Sequence, residues 1–286
     1  MDVTRAAKTP MVRAPYLWIA VRACPTMCAV KQVAMTLLRR IGVALSLVLV
    51  AIAGGQPRPT SSRASVLPQL MLWAWERPES LQFAGPDVGV AFLAESIYLE
   101  PRPEVRYRMQ PLQVTKTASL VAVVRLEPTP RTPATFDSSY ITTVAQWIAA
   151  TASLPQVRAV QIDFDATRSQ RPFYRALLAE VHRQLPAGTP LSITALGSWC
   201  LGDDWLANLP IDEAVPMMFR LGVDRRNILH DLAAGQDFSE PLCRTSLGIS
   251  TDEPWPRVVP GRRIYVFNPR AWNRADLQAL EQKLAQ

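Results

Sequence analysis

Short apolar runs recur along the chain from Leu70 onward, each bounded by polar or turn-forming residues. They are Leu70 to Trp75, Val88 to Leu93, Leu120 to Leu126, Val157 to Phe164, Leu191 to Leu196, Glu213 to Phe219, Thr245 to Ile249 and Ile264 to Phe267. Most lack a regular polar face, the pattern of parallel strands covered by helices on their outer side. Amphipathic stretches at Ser138 to Thr151, Arg168 to Leu185, Asp203 to Leu209, Asp224 to Ala234 and Asn273 to Ala285 lie between or after these runs and predict helices.

Eight strands alternating with helices over some 215 residues predict one irregular α/β domain, a (β/α)8 TIM barrel. Two connections depart from the regular pattern. Ile97 to Gln113 reads as a hairpin insertion after the second strand, and Thr251 to Arg263 as a proline-rich loop. A doubly wound open sheet is the alternative, but no GxGxxG or P-loop supports a nucleotide crevice.

The N-terminal portion is organised differently. From Met35 the sequence carries Arg39 and Arg40, an apolar run from Ile41 to Ala53, and the small-residue pattern Ala51-Ile52-Ala53 before Gly54. That is the layout of a secretory signal peptide, with translation starting at Met35 or Met27. The expected organisation is therefore an extension and signal peptide over 1–53, a Pro/Ser/Thr-rich linker over 54–68, and one barrel domain over 69–286. The expected location is the periplasm or the exterior; an uncleaved segment would instead anchor the protein in the membrane.

Composition sharpens this division. Proline makes up 25 of 286 residues, which excludes collagen-like and coiled-coil architectures. The net charge of +7 invites a nucleic-acid reading, but seven basic residues and one acidic residue fall within 1–53. The rest holds 24 basic and 23 acidic residues and lacks the electrostatic footprint of a phosphate-binding surface. Beyond the signal segment only Cys200 and Cys243 remain, in a compartment that permits pairing. The expected topology sets them at opposite ends of the sheet, which weighs against a disulfide.

Barrel chemistry gathers where strands end, and here those ends are rich in carboxylates and tryptophan. The candidate catalytic residues are Asp163, Asp165, Glu127 and Glu76. Candidate substrate-binding residues are Trp73, Trp75, Trp199, Arg220, Asp252, Glu253, Trp255 and Asn268. Gln161, Asp163, Asp165 and Thr167 share one face of the fourth strand, so two carboxylates project together if that face is inward. Paired carboxylates beside flat apolar surfaces suit glycoside chemistry. The plainer reading makes Asp163 and Asp165 structural partners of Arg125 or Arg220, and the tryptophans core. His182 and His230 each stand alone on a predicted helix, so neither a metal nor another cofactor is expected. Gly248-Ile249-Ser250-Thr251-Asp252 lacks the second glycine of a nucleophile elbow and no histidine follows it.

The stretch from about Leu70 to Trp272, with WAWERPE, LGSWCLGDDWL, DEAVPMMFR and GISTDEPWP, resembles the bacterial domain of unknown function 3142. More distantly, Gln161 to Asp165, Ser192 to Leu196 and Pro216 to Arg220 resemble the fourth, fifth and sixth strands of chitinase-like (family eighteen) glycoside hydrolases. The resemblance implies a glycosidase-like barrel. The position of that family's glutamate acid is Thr167 here, and its sixth-strand Met-x-Tyr-Asp is matched by Met217-Met218-Phe219-Arg220. Either another acid serves, with Glu127 or Glu76 best placed, or the barrel binds sugar without cleaving it. The expected function is an exported glycoside-hydrolase-like barrel acting on or binding a polysaccharide. The alternative is a non-catalytic carbohydrate-binding barrel of the cell envelope. No nucleic-acid partner is expected, and membrane contact only through the signal segment.

Overall fold

The computed structural model describes residues 63–222 and 225–285. The expected signal peptide and residues 54–62 of the expected linker lie outside the described residues. Its strands are β1 (Leu70–Ala74), β2 (Glu79–Ser80), β3 (Val88–Tyr98), β4 (Glu104–Tyr107), β5 (Leu112–Gln113), β6 (Leu120–Glu127), β7 (Val157–Asp163), β8 (Leu191–Leu196), β9 (Glu213–Met217), β10 (Ser246–Ser250) and β11 (Arg263–Phe267). Its helices are α1 (Ser138–Ala150), α2 (Arg171–Gln184), the single turn α3 (Gly197–Cys200), α4 (Arg225–Ala233) and α5 (Arg274–Leu284). Strands β1, β3, β6, β7, β8, β9, β10 and β11 pair in parallel in that order, and β11 pairs back onto β1. The result is a closed (β/α)8 barrel built from the eight apolar runs.

The irregular features follow from strand length. Strand β3 outruns β1, whose last partner is Phe92, so its far half would expose an open edge. The returning strand β4 covers it, antiparallel, with Glu95 opposite Tyr107 and Tyr98 opposite Glu104; this is the hairpin expected after the second strand. A register shift between Leu93 and Glu95 marks a bulge there. The stretch Asp203 to Leu209, expected as a helix, forms turns instead. Asn208 adopts a left-handed conformation at φ 61° and Pro210 follows, which leaves no room for a regular helical run.

The cysteines also depart from expectation. Cys200 and Cys243 form a disulfide with Cα atoms 5.9 Å apart. Helix α3 carries Cys200 out of the barrel rim into the layer outside the sheet, where the segment before β10 passes it. The amides of Ser239 and Glu240 both donate to the Cys200 carbonyl. Strand polarity therefore does not set their separation. Closing a loop of this length stabilises a fold by about 4 kcal/mol on the chain-entropy account.

Alternation along the strands separates two cores. Even-numbered positions of β1, including Leu72 and Ala74, face the helices, while Met71 and Trp73 face inward. Inside the barrel, polar side chains form one buried network. The Trp73 indole donates to Gln161 Oε1 at 3.0 Å, Gln161 Nε2 to Ser192 Oγ at 3.1 Å, and Ser192 Oγ to Glu213 Oε2 at 2.9 Å. Glu213 also accepts from Tyr265 Oη at 2.8 Å and pairs with Arg263 Nη1 at 2.5 Å. Arg263 in turn donates to the carbonyls of Pro68, Ala64 and Leu67. That last contact secures a 3-10 turn at Arg63–Val66, with Ala64 and Leu67 buried against the base of the barrel. Gly248 belongs to the inward face because a Cβ there would meet the Trp73 ring at 3.0 Å.

Glu213→Ala should strand the buried Arg263 guanidinium and cost roughly 3–5 kcal/mol, the range for breaking a buried ion pair. Chemical denaturation of the two proteins measures it; a loss below about 1 kcal/mol would show that the pair does not hold the barrel together.

Candidate active site

A cavity of about 430 Å³ opens at the C-terminal ends of the strands. Its position follows from the parity set below it. Gln161 is fixed in the interior network, so two residues on Asp163 also points inward, and Asp165 continues past the strand end to the mouth. Asp163 is almost fully buried, and both its oxygens are engaged: Oδ1 accepts from Thr194 Oγ1 at 2.7 Å and Oδ2 from Arg125 Nη1 at 2.7 Å. Arg125 spends its Nε on Glu127 at 2.6 Å. Asp165 is open to solvent by surface area and accepts no hydrogen bond among the described residues. Protein packed around it, followed by the negative charge of Asp163, pushes its carboxyl above the ordinary aspartate range, with Arg125 opposing the rise.

The walls are aromatic. Phe219 and Phe267 stack with planes 5° apart and centroids 5.6 Å apart, and Trp75 meets Phe267 edge-on at 6.4 Å. Trp73 lies deeper, buried and tied to Gln161, so it forms floor, while half-buried Trp75 faces the mouth. Arg220 reaches the cavity from a left-handed backbone at φ 53°, its guanidinium 5.1 Å above the Phe267 ring. Glu253 holds that turn by accepting the Arg220 amide at 3.0 Å and pairing with Arg225.

The cavity thus gathers Asp163, Asp165, Trp73, Trp75 and Arg220 from the expected residues. Others stand elsewhere. Glu127 lines a neighbouring hollow of about 440 Å³ with Glu76, whose Oε1 accepts the amides of Met109 and Gln110 and ties the hairpin to the end of β1. Trp199 is buried in the outer layer, edge-on to Trp205 at 4.8 Å. Asp252, Trp255 and Asn268 border a separate hollow, where Asn268 bridges Thr251 and Asp276 and Lys283 sits 3.6 Å over the Trp255 ring. Thr167 caps the turn leading into α2 with Gln170. Among the described residues, no three His, Cys, Asp or Glu side chains cluster in a way that could hold a metal ion.

A family model described as a domain of unknown function, DUF3142, matches residues 116–265, just over half of the chain. The chain belongs to the DUF3142 family. The matched segment runs from just before β6 into β11 and includes Arg125, Asp163, Asp165, Thr194, Phe219 and Arg220. No curated protein sequence matches this DUF3142 chain. Among solved structures, the spore cortex-lytic enzyme SleL of Bacillus cereus aligns at 14% identity and a TM-score of 0.44, over 63% of this chain and 51% of its own, so the chain spans about half the length of that protein. The GH113 β-mannanase AaManA of Alicyclobacillus acidocaldarius, in complex with ManMIm, aligns at 9% identity and a TM-score of 0.42, over 74% of this chain and 89% of its own.

Sequence reading missed several residues that matter here. Phe219 and Phe267 close apolar runs and read as strand core; counting by twos from Glu213 and from Arg263, which meet inside the barrel, turns them inward. Glu95 was missed too, because it stands at the bulge of β3, where simple alternation fails. It is 3% exposed, its Oε1 has no hydrogen-bond partner, and burial pushes its carboxyl up to about 7. The folded state then binds this proton more tightly than the unfolded chain. Stability should fall as pH rises from the ordinary glutamate value to about 7 and stay reduced above it, by on the order of 3 kcal/mol. Glu95→Gln should remove that loss, raising the melting temperature at pH 8 and leaving it nearly unchanged at pH 4; equal shifts at both would refute a buried, titrating Glu95.

Proposed function

We propose that this DUF3142 chain is a glycoside-hydrolase-like barrel whose cavity binds a carbohydrate and cleaves a glycosidic bond. The observation that carries this reading is the placement of Asp163, the last residue of β7, and Asp165, just past the strand end, in one hollow walled by Trp75, Phe219 and Phe267. The flat rings present the surface on which the apolar face of a pyranose stacks. Asp165, unpaired among the described residues and holding its proton to higher pH than an ordinary aspartate, is the general acid that protonates the leaving oxygen. Asp163, oriented by Arg125 and Thr194, faces the same space and steadies positive charge at the anomeric carbon as the bond to the leaving oxygen breaks; a solvent water then adds to that carbon and gives its proton to the Asp165 carboxylate. Arg220 positions the substrate from the rim.

We further propose that the protein is exported to the periplasm or beyond. The Cys200–Cys243 disulfide supports that, since such bonds persist in oxidising compartments.

A second reading, a non-catalytic carbohydrate-binding barrel, draws support from the same site. Both Asp163 oxygens already accept hydrogen bonds, and Thr167 serves as a helix cap. Incubation with a glycan panel, reading both binding and new reducing ends, separates the two. Asp165→Asn should reduce cleavage at least 100-fold with binding and melting temperature retained. Binding without cleavage by the unaltered protein would favour the second reading; unchanged cleavage by the variant would remove Asp165 from the acid role; neither binding nor cleavage would overturn both.

A further inference from the structure

The β3–β4 hairpin stands where a regular barrel sends a helix back to its next strand, and among the described residues no helix lies between β3 and β6 in the chain. The outward face of β3 near its bulge is instead bordered by β4 and by α1 with the turn after it, and a hollow of about 370 Å³ opens between them. Phe92 belongs to the outer core, and Glu95 pairs in register with Val124 of that same core and with Tyr107 across the hairpin, so all of them face away from the barrel interior. Phe92, Trp147 and Leu154 give the hollow apolar walls. Tyr107, 61% exposed, and Leu154, 40% exposed, stand at its rim. The volume falls within the roughly 300–1,000 Å³ of small-ligand sites, which pair apolar walls with a few polar groups.

Glu95 supplies the polar group and narrows the class of occupant. It is almost wholly buried, and its Oε1 has no hydrogen-bond partner. Arg108 also lines the hollow but is spent elsewhere, its Nε on the Gln110 carbonyl, Nη1 on that of Trp75 and Nη2 on that of Arg77. A buried carboxyl without a partner is relieved by a donor, and most by a charged one. An ammonium group brings three donors and the missing counter-charge, and the faces of Trp147 and Tyr107 attract it as well. An anion would meet the charge of the carboxylate, and the apolar walls offer a sugar few partners for its hydroxyls.

We propose that this outer hollow is a second binding site, separate from the barrel mouth, for a small organic amine, with its ammonium group against Glu95 and its apolar body against Phe92, Trp147 and Leu154. Burial raises the Glu95 carboxyl to about 7, so the carboxylate that the amine pairs with forms as pH rises through that value. The other titratable groups lining the hollow are Tyr107 and Arg108, both on the hairpin; α1 and the turn after it contribute none.

Calorimetric titration of the full protein with phenethylamine, and with phenethyl alcohol and hydrocinnamate as matched neutral and anionic probes, tests it at pH 8 and pH 5. At pH 8 the amine should bind at least about tenfold more tightly than the alcohol, and the anion more weakly than either. The preference for the amine should shrink at pH 5, where Glu95 is protonated. Glu95→Gln should remove the preference while leaving the affinity for the alcohol. Ala150→Phe, which adds a ring at the hollow from the last turn of α1, should weaken both amine and alcohol about tenfold or more. An amine that binds no more tightly than the alcohol at pH 8, a Glu95→Gln protein that keeps the preference, binding unchanged by Ala150→Phe, or no binding of any probe would each overturn the site.

Discussion

A single buried carboxylate, Glu213, organises the barrel interior. It accepts from Tyr265 and Ser192 and pairs with Arg263, so strands β8, β9 and β11 are bound to one point. Through Ser192 and Gln161 the same network reaches β7 and the Trp73 indole on β1. Burying this much polarity is stabilising only because the shared contacts satisfy it, and satisfaction demands one register of the strands relative to one another. A one-residue slip of β7 would turn Gln161 outward and carry Asp163 with it.

The site inherits its geometry from that constraint. Gln161 sits in the network, Asp163 one step higher on the cavity floor, and Asp165 at the mouth. Different depths give the two carboxylates different surroundings. The lower is held by Arg125 and Thr194, while the upper has no hydrogen-bond partner among the described residues and feels both crowding and its neighbour's charge. Two carboxyl groups with different environments in one cavity can take different roles in acid–base chemistry. The irregular parts of the fold shape the rim: Glu253 fixes the left-handed turn that aims Arg220, and the β3–β4 hairpin builds the wall next door.

The barrel was legible in the sequence because all eight strands fall on short, mostly apolar runs separated by turn-forming or amphipathic stretches, and their order needs no long-range information. The hairpin and the proline-rich loop were legible for the same local reasons. Asp163, Asp165, Trp75 and Arg220 could be placed at the mouth by counting from strand ends. Trp199, Trp255 and Asn268 also follow strand ends, yet the chain turns outward there, and no local pattern records that. The disulfide was missed because it depends on where helix α3 leads after leaving the barrel rim. Glu95 was hidden by a bulge that breaks the alternation on which such reading depends.

Protein packed around Asp165, with the charge of Asp163 beside it, holds its carboxyl in the protonated form to higher pH than an ordinary aspartate. Carboxyl carbon chemical shifts of isotopically labelled protein, followed through a pH titration and assigned with Asp165→Asn, measure this directly. The account predicts a midpoint for Asp165 above the ordinary aspartate range, rising further in Arg125→Met, where the opposing cation is gone. A midpoint at or below the ordinary range in the unaltered protein would contradict it.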